Sequence, residues 1–131
     1  MVTRSRTMQG STTKDFTGSK VWQEGHKLVL TTYRFLRAFP AEEQFSLKNQ
    51  MQKAAVTITT NIAESHSAGS TNEKLEFLVV ANASMIEFQN CLLISRDVGY
   101  LKTAYFDEIA RQTAVVSKQL SALTTTTQKL V

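Results

Sequence analysis

The side chains that could do chemistry in this chain are few: His26, His66, Cys91 and scattered carboxylates. Glu24 precedes His26, and Glu64 precedes His66, by two positions. On a helix that spacing points side chains apart, so Glu24 and His26 make no acid–base couple or metal clamp; His66 falls in a loop, where a metal role stays open but a solvated histidine outweighs it. No glutamate stands three residues before either histidine, so the Glu-x-x-His pair that holds metals inside helical bundles is absent. The sequence has no GxGxxG, no Walker loop, no HExxH and no cysteine cluster. Two isolated histidines assemble no activated nucleophile. Cys91 sits in the apolar run NCLLI, the setting of a buried, inert thiol. These residues point away from an enzyme, and neither metal nor cofactor is expected.

The polar residues that do stand out belong to a helix. From Ser46 to Glu64, Leu47, Met51, Ala54, Ile58 and Ile62 recur at fours and threes, one stripe on one helical face. Ala54 and Ala55 let a neighbouring helix come close. Asn61 and Glu64 interrupt the apolar turns at its end, and the helix dipole disfavours a carboxylate there by about 0.3–1 kcal/mol. A partner is therefore expected for Glu64. In a bundle the reachable donors are the indole of Trp22 and the first-turn amides of the next helix, which makes Trp22, Asn61 and Glu64 a structural polar set.

Three more helices must position this one. Lys20 to Ala38 carries Val21, Gly25, Leu28, Thr32, Phe35 and Phe39 in one stripe, with Thr17 or Ser19 as its cap and Phe16 packing back on the body. Gly25 costs about 1 kcal/mol relative to Ala inside a helix, which suggests a close backbone crossing. Phe39-Pro40 ends the helix, and Ser46 is the natural cap of the next. Ser70 and Glu73 have capping-box spacing for a helix from about Thr71 to Val98, with Gly99 placed to close it. That helix carries a bundle stripe (Leu78, Ala81, Met85, Phe88, Leu92) and a second stripe of Val79, Ile86 and Leu93, more than one core requires. Either another subunit or a bundle neighbour must cover it. The last helix, about Thr103 to Leu123, leads into TTTTQ, where β-branched residues predict fraying. The expected fold is all-α, an antiparallel up-down-up-down four-helix bundle over residues 16–125, with a disordered basic arm at 1–15 and a frayed tail at 126–131.

At 131 residues the chain is long enough for one core, and one Pro with five Gly leaves little punctuation for a β protein. Its apolar runs are short and broken, which predicts no membrane span and no membrane partner. The first residues lack the apolar core of a signal peptide, and a single Cys fits a reducing cytoplasm. The net charge of +4 is uneven: residues 1–37 hold Arg4, Arg6, Lys14, Lys20, Lys27, Arg34 and Arg37 against only Asp15 and Glu24. Such a surface attracts a polyanion, or is simply a solvated face. Tyr33, Tyr100 and Tyr105 could stack on nucleic-acid bases, or pack and meet solvent in the ordinary way.

Several motifs resemble one family. They are Val21-Trp22, Phe39-Pro40, Leu47-x-x-Gln50-Met51-x-Lys53-Ala54-Ala55-Val56, Ile58-x-x-Asn61-Ile62-Ala63-Glu64, Phe77-Leu78-x-x-Ala81-x-Ala83-Ser84-x-x-Glu87 and Gly99-Tyr100-Leu101. Together, over about Phe16 to Leu101, they resemble the bacterial four-helix bundle proteins called 23S rRNA-intervening sequence proteins. The resemblance implies a homopentameric ring. A related branch, the accessory proteins of diversity-generating retroelements, associates with nucleic acid and a reverse transcriptase, which extends the implied partners to RNA or DNA and such an enzyme. Where the family follows Ala-Glu with roughly Gly-x-x-Arg, this chain has Ser65-His66-Ser67-Ala68, and Ala83 replaces a frequent Gly. The missing Arg implies weaker phosphate contact at that loop. Two functions remain open: an oligomeric nucleic-acid-associated accessory protein, and a structural oligomer or protein-interaction module.

Overall fold

Each helix of the chain starts and stops for a local reason. The computed structural model describes residues 15–131. A 3₁₀ turn at Phe16–Gly18 is capped by the Asp15 carboxylate, which accepts from the Thr17 N–H at 3.0 Å. Helix α1, Lys20–Leu36, begins at Ser19, whose hydroxyl oxygen accepts from the Trp22 N–H. It stops two residues earlier than expected, and the Ala38 and Phe39 amides close back on Phe35 and Leu36 as the chain turns toward Pro40.

Helix α2, Leu47–Ser65, follows a 3₁₀ turn at Ala41–Glu43. Ser46 holds the cap position but makes no side-chain cap bond. The Glu43 carboxylate takes that role, accepting from the Leu47 N–H at 3.2 Å and from the Ser46 hydroxyl at 2.6 Å. A charged acceptor suits the positive end of the helix dipole better than a neutral hydroxyl.

Helix α3, Thr71–Asp97, opens as expected: the Ser70 hydroxyl accepts from the Glu73 N–H, and the Glu73 carboxylate reaches back to the Gly69 N–H. It closes on Gly99, whose φ of 83° belongs to the left-handed region. The Tyr100 N–H bonds the Ser95 carbonyl and the Gly99 N–H bonds the Arg96 carbonyl, the paired closure of a Schellman turn. Helix α4, Thr103–Gln128, runs through the threonine tract instead of fraying near Leu123. The hydroxyls of Thr124 and Thr127 donate to the carbonyls of Leu120 and Leu123, and Thr127 is buried. Helix packing overrides weak propensity there.

No strand occurs among the described residues. Each helix packs on its two neighbours in the cyclic order α1, α2, α3, α4, and the diagonal pairs do not pack. Cross-contacts set direction: Gln50 near the start of α2 meets Cys91 near the end of α3, and Asn82 early in α3 donates to Thr124 late in α4. These contacts are consistent with an antiparallel up-down arrangement. Leu28, Met51, Ile58, Ile62, Leu78, Phe88, Ile109, Val116 and Leu120 fill the centre, each contributing about 1.5–3 kcal/mol by leaving water. Gly25 lies where α1 crosses α2; a Cβ there would meet the Thr59 methyl at 3.0 Å.

Among the described residues α3 alone is long and apolar enough by composition to cross a membrane, with a mean hydropathy of 1.5 in its most apolar window. Both apolar stripes fall on one uninterrupted 27-residue helix, and the inner one is buried by the other helices.

Candidate functional site

Three surfaces gather the residues singled out by the sequence. The first is the outward side of α3. Val79, Ile86 and Leu93 recur every seven residues and are 54%, 67% and 45% exposed, with Val80 and Ile94 exposed beside them. No bundle helix covers this stripe. The alternative that a bundle neighbour buries it is therefore closed, and exposed apolar patches are a general mark of interaction surfaces.

The second surface is the solvent side of α1. Lys20, Lys27 and Arg34 stand at seven-residue intervals on one exposed stripe, with exposed Arg37 one turn on. Part of that charge is committed. Lys27 meets Glu24 at 3.4 Å, and Arg34 meets Glu108 of α4 at 3.1 Å. Exposed pairs like these hold little energy and open readily to a competing anion. Lys20 and Arg37 form no ion pair among the described residues. Arg4, Arg6 and Lys14 lie outside the described residues.

The third surface is the end of the bundle where α1 enters. Trp22 is half-buried, stacked on His26 at 4.7 Å and met edge-on by Phe16 at 5.3 Å. The expected polar set does not form around it. Asn61 is buried, but its amide donates to the Thr57 carbonyl of its own helix. Glu64 is exposed, and its carboxylate makes no hydrogen bond or ion pair among the described residues. Of the donors expected for it, the Glu73 N–H at the start of α3 is already bonded to the Ser70 hydroxyl. His66 closes α2 with its ring Nδ1 2.9 Å from the Ile62 carbonyl, a capping contact.

The polar hub lies at the opposite end and was missed. Besides capping α2, the Glu43 carboxylate accepts a hydrogen bond from the Tyr100 hydroxyl at 2.8 Å, tying the α1–α2 connection to the α3–α4 connection. The Ser46 and Tyr100 hydroxyls hold the Glu43 carboxyl below its ordinary range, and the same carboxylate pushes the Tyr100 phenol up. Only the residue pair Glu43 and Ser46, at capping distance, hinted at this in the sequence.

Cys91 is buried, and desolvation, then the charge of Glu87, raises its thiol above the ordinary value. A protonated thiol is a poor nucleophile. No group of three or more His, Cys, Asp or Glu that could hold a metal occurs among the described residues.

The family model described as 23S rRNA-intervening sequence protein matches residues 17–122, nearly the whole bundle. A solved protein of unknown function from the S23 ribosomal protein family of Bacteroides thetaiotaomicron has a similar fold, with a TM-score of 0.73 and 17% identity. The match covers 79% of this chain and 97% of that one. No curated protein matches the chain. No enzymatic family is indicated by these likenesses.

Proposed function

The chain belongs to the 23S rRNA-intervening sequence protein family, and from that premise we propose that it is a non-catalytic, homo-oligomeric bundle whose basic side meets RNA or DNA. The observation that carries the reading is the open apolar strip of α3: Val79, Ile86 and Leu93 are displayed to water by an otherwise well-filled bundle. A second copy is the favoured cover. Lipid is disfavoured because Glu76, Glu87 and Asp97 lie exposed on the same side of α3, and carboxylates in hydrocarbon are costly. Antiparallel helices and a ring of five copies, the number implied by the sequence resemblance, complete the architecture, and the cytoplasm is the compartment proposed.

In such a ring each copy contributes Lys20, Lys27, Arg34 and Arg37, so a modest charge per chain becomes a multivalent cationic surface. Phosphate contacts release counterions, and the logarithm of affinity then falls linearly with the logarithm of salt concentration. Sedimentation of Ile86→Asp tests the assembly, and the expected result is loss of the oligomer with the helical content kept. Titrating labelled RNA and duplex DNA against salt tests the ligand. An oligomer that binds neither at about 50 mM salt leaves the structural-module reading in its place.

A further inference from the structure

The chain's three tyrosines stand in different surroundings. Tyr100 donates to Glu43, and Tyr105 is stacked on Phe35 at 4.8 Å. Tyr33 has no hydroxyl partner and no aromatic neighbour among the described residues, and it is 43% exposed. It stands between two open depressions, one of about 500 Å³ beside Leu30, Arg34 and Arg37. The other, of about 370 Å³, lies between α1 and α2 beside Gln52, Lys53 and Val56. No carboxylate lines either one. Arg37 and Lys53, one in each depression, form no ion pair among the described residues.

We propose that Tyr33 is a stacking platform for single-stranded nucleic acid, with a base on its ring and the flanking phosphates on Arg37 and Lys53. This deepens, and rests on, the reading that the basic side of the bundle meets nucleic acid. An aromatic ring standing between cations is the alternation that tracks a single strand, because every base offers a π-face while the backbone runs along the charges. A duplex keeps its base faces stacked inside and offers none to Tyr33. Leu30 and Val56, exposed on either side of the ring, give apolar contact to the neighbouring bases. Stacking of this kind tolerates sequence, so the expected ligand class is an unpaired strand rather than a particular motif.

The experiment is fluorescence anisotropy with a labelled oligouridine of about 16 nucleotides and an RNA duplex of equal length. Tyr33→Ala should weaken oligouridine binding by about ten- to hundredfold and leave duplex binding unchanged. Tyr33→Phe keeps the ring and should bind as the parent does; Tyr105→Ala removes a ring already occupied and should have no effect. Arg37→Ala and Lys53→Ala should each reduce the salt slope by about one, whereas Tyr33→Ala leaves the slope intact. Circular dichroism of each variant confirms the fold, which exposed helical positions tolerate. If the parent binds oligouridine and Tyr33→Ala binds it equally well, the platform is overturned while the basic-surface reading stands. If the parent binds neither oligonucleotide, both fall. If only an acidic amphipathic peptide binds, and Tyr33→Ala abolishes that binding, the site belongs to a protein partner and the platform is overturned.

Discussion

The two sides of α3 each carry an apolar stripe, and the stripes have opposite fates. Leu78, Ala81, Met85 and Phe88 on the inner side are almost wholly buried among the other helices, whereas Val79, Ile86 and Leu93 on the outer side face water. Four helices in a square give each helix two neighbours, so a helix with a second apolar stripe has one stripe too many. The difference separates the stripe that builds the fold from the stripe on which the proposed assembly would rest. A change on one side should therefore show in a measurement to which a change on the other is silent.

Phe88→Ala should have the largest effect on stability. It empties the site of a fully buried ring and should cost about 3–5 kcal/mol in denaturant unfolding, with the subunit's ability to associate kept while it remains folded. Loss of association at full stability would merge the two sides and break the comparison. Gly25→Val comes next. Its added carbons must enter the α1–α2 crossing against the Thr59 methyl, an overpacking of about 1–3 kcal/mol readable as a lower midpoint with an unchanged denaturant slope.

The two ends of the bundle sharpen the comparison further through two glutamates. Glu43 joins two connections, and its carboxyl is held below the ordinary value by Ser46 and Tyr100. A depressed folded-state value means that this stabilisation is present above the unfolded carboxyl range and is lost as pH falls through the folded value. The Tyr100 phenol is raised, so its share is present below the ordinary phenol value and is lost as pH rises through the folded one. Glu43→Gln should flatten the acid limb of a melting-temperature profile; an identical limb in parent and variant would remove Glu43 from the account. Glu64→Ala should have the smallest effect, an unchanged melting curve, because the exposed carboxylate has no partner among the described residues. A clear loss of stability would restore the partner expected from the sequence.

Much of this was legible before the fold was known, wherever the cause is local. The four-three spacing of Met51, Ala54, Ile58 and Ile62 sets a buried face, Ser70 and Glu73 start a helix within one turn, and Gly99 ends it through its own φ. The cap of α2 went to Glu43 instead of Ser46 because a carboxylate three residues away folds back through the turn. Its bond to Tyr100, 57 residues distant, depends on how two connections meet, which no spacing encodes. Glu64 differs in the other direction: the carboxylate expected to find a partner stands exposed, and the nearby Ser70 hydroxyl takes the Glu73 N–H instead. The threonine tract of α4 reads as a weak helix former, yet the buried Thr127 shows packing deciding the outcome. For the candidate surfaces, the surplus stripe and the basic side of α1 were visible in the pattern. Which of three tyrosines is unoccupied was not, because stacking on Phe35 and bonding to Glu43 are tertiary facts.

Light scattering of the intact protein at micromolar concentration tests the central claim, that the outer stripe of α3 is covered by another copy of this chain. The expected result is one species at five times the chain mass of 14.6 kDa, collapsing toward the single-chain mass in Ile86→Asp. A parent protein that scatters as a 14.6 kDa monomer would contradict the claim outright.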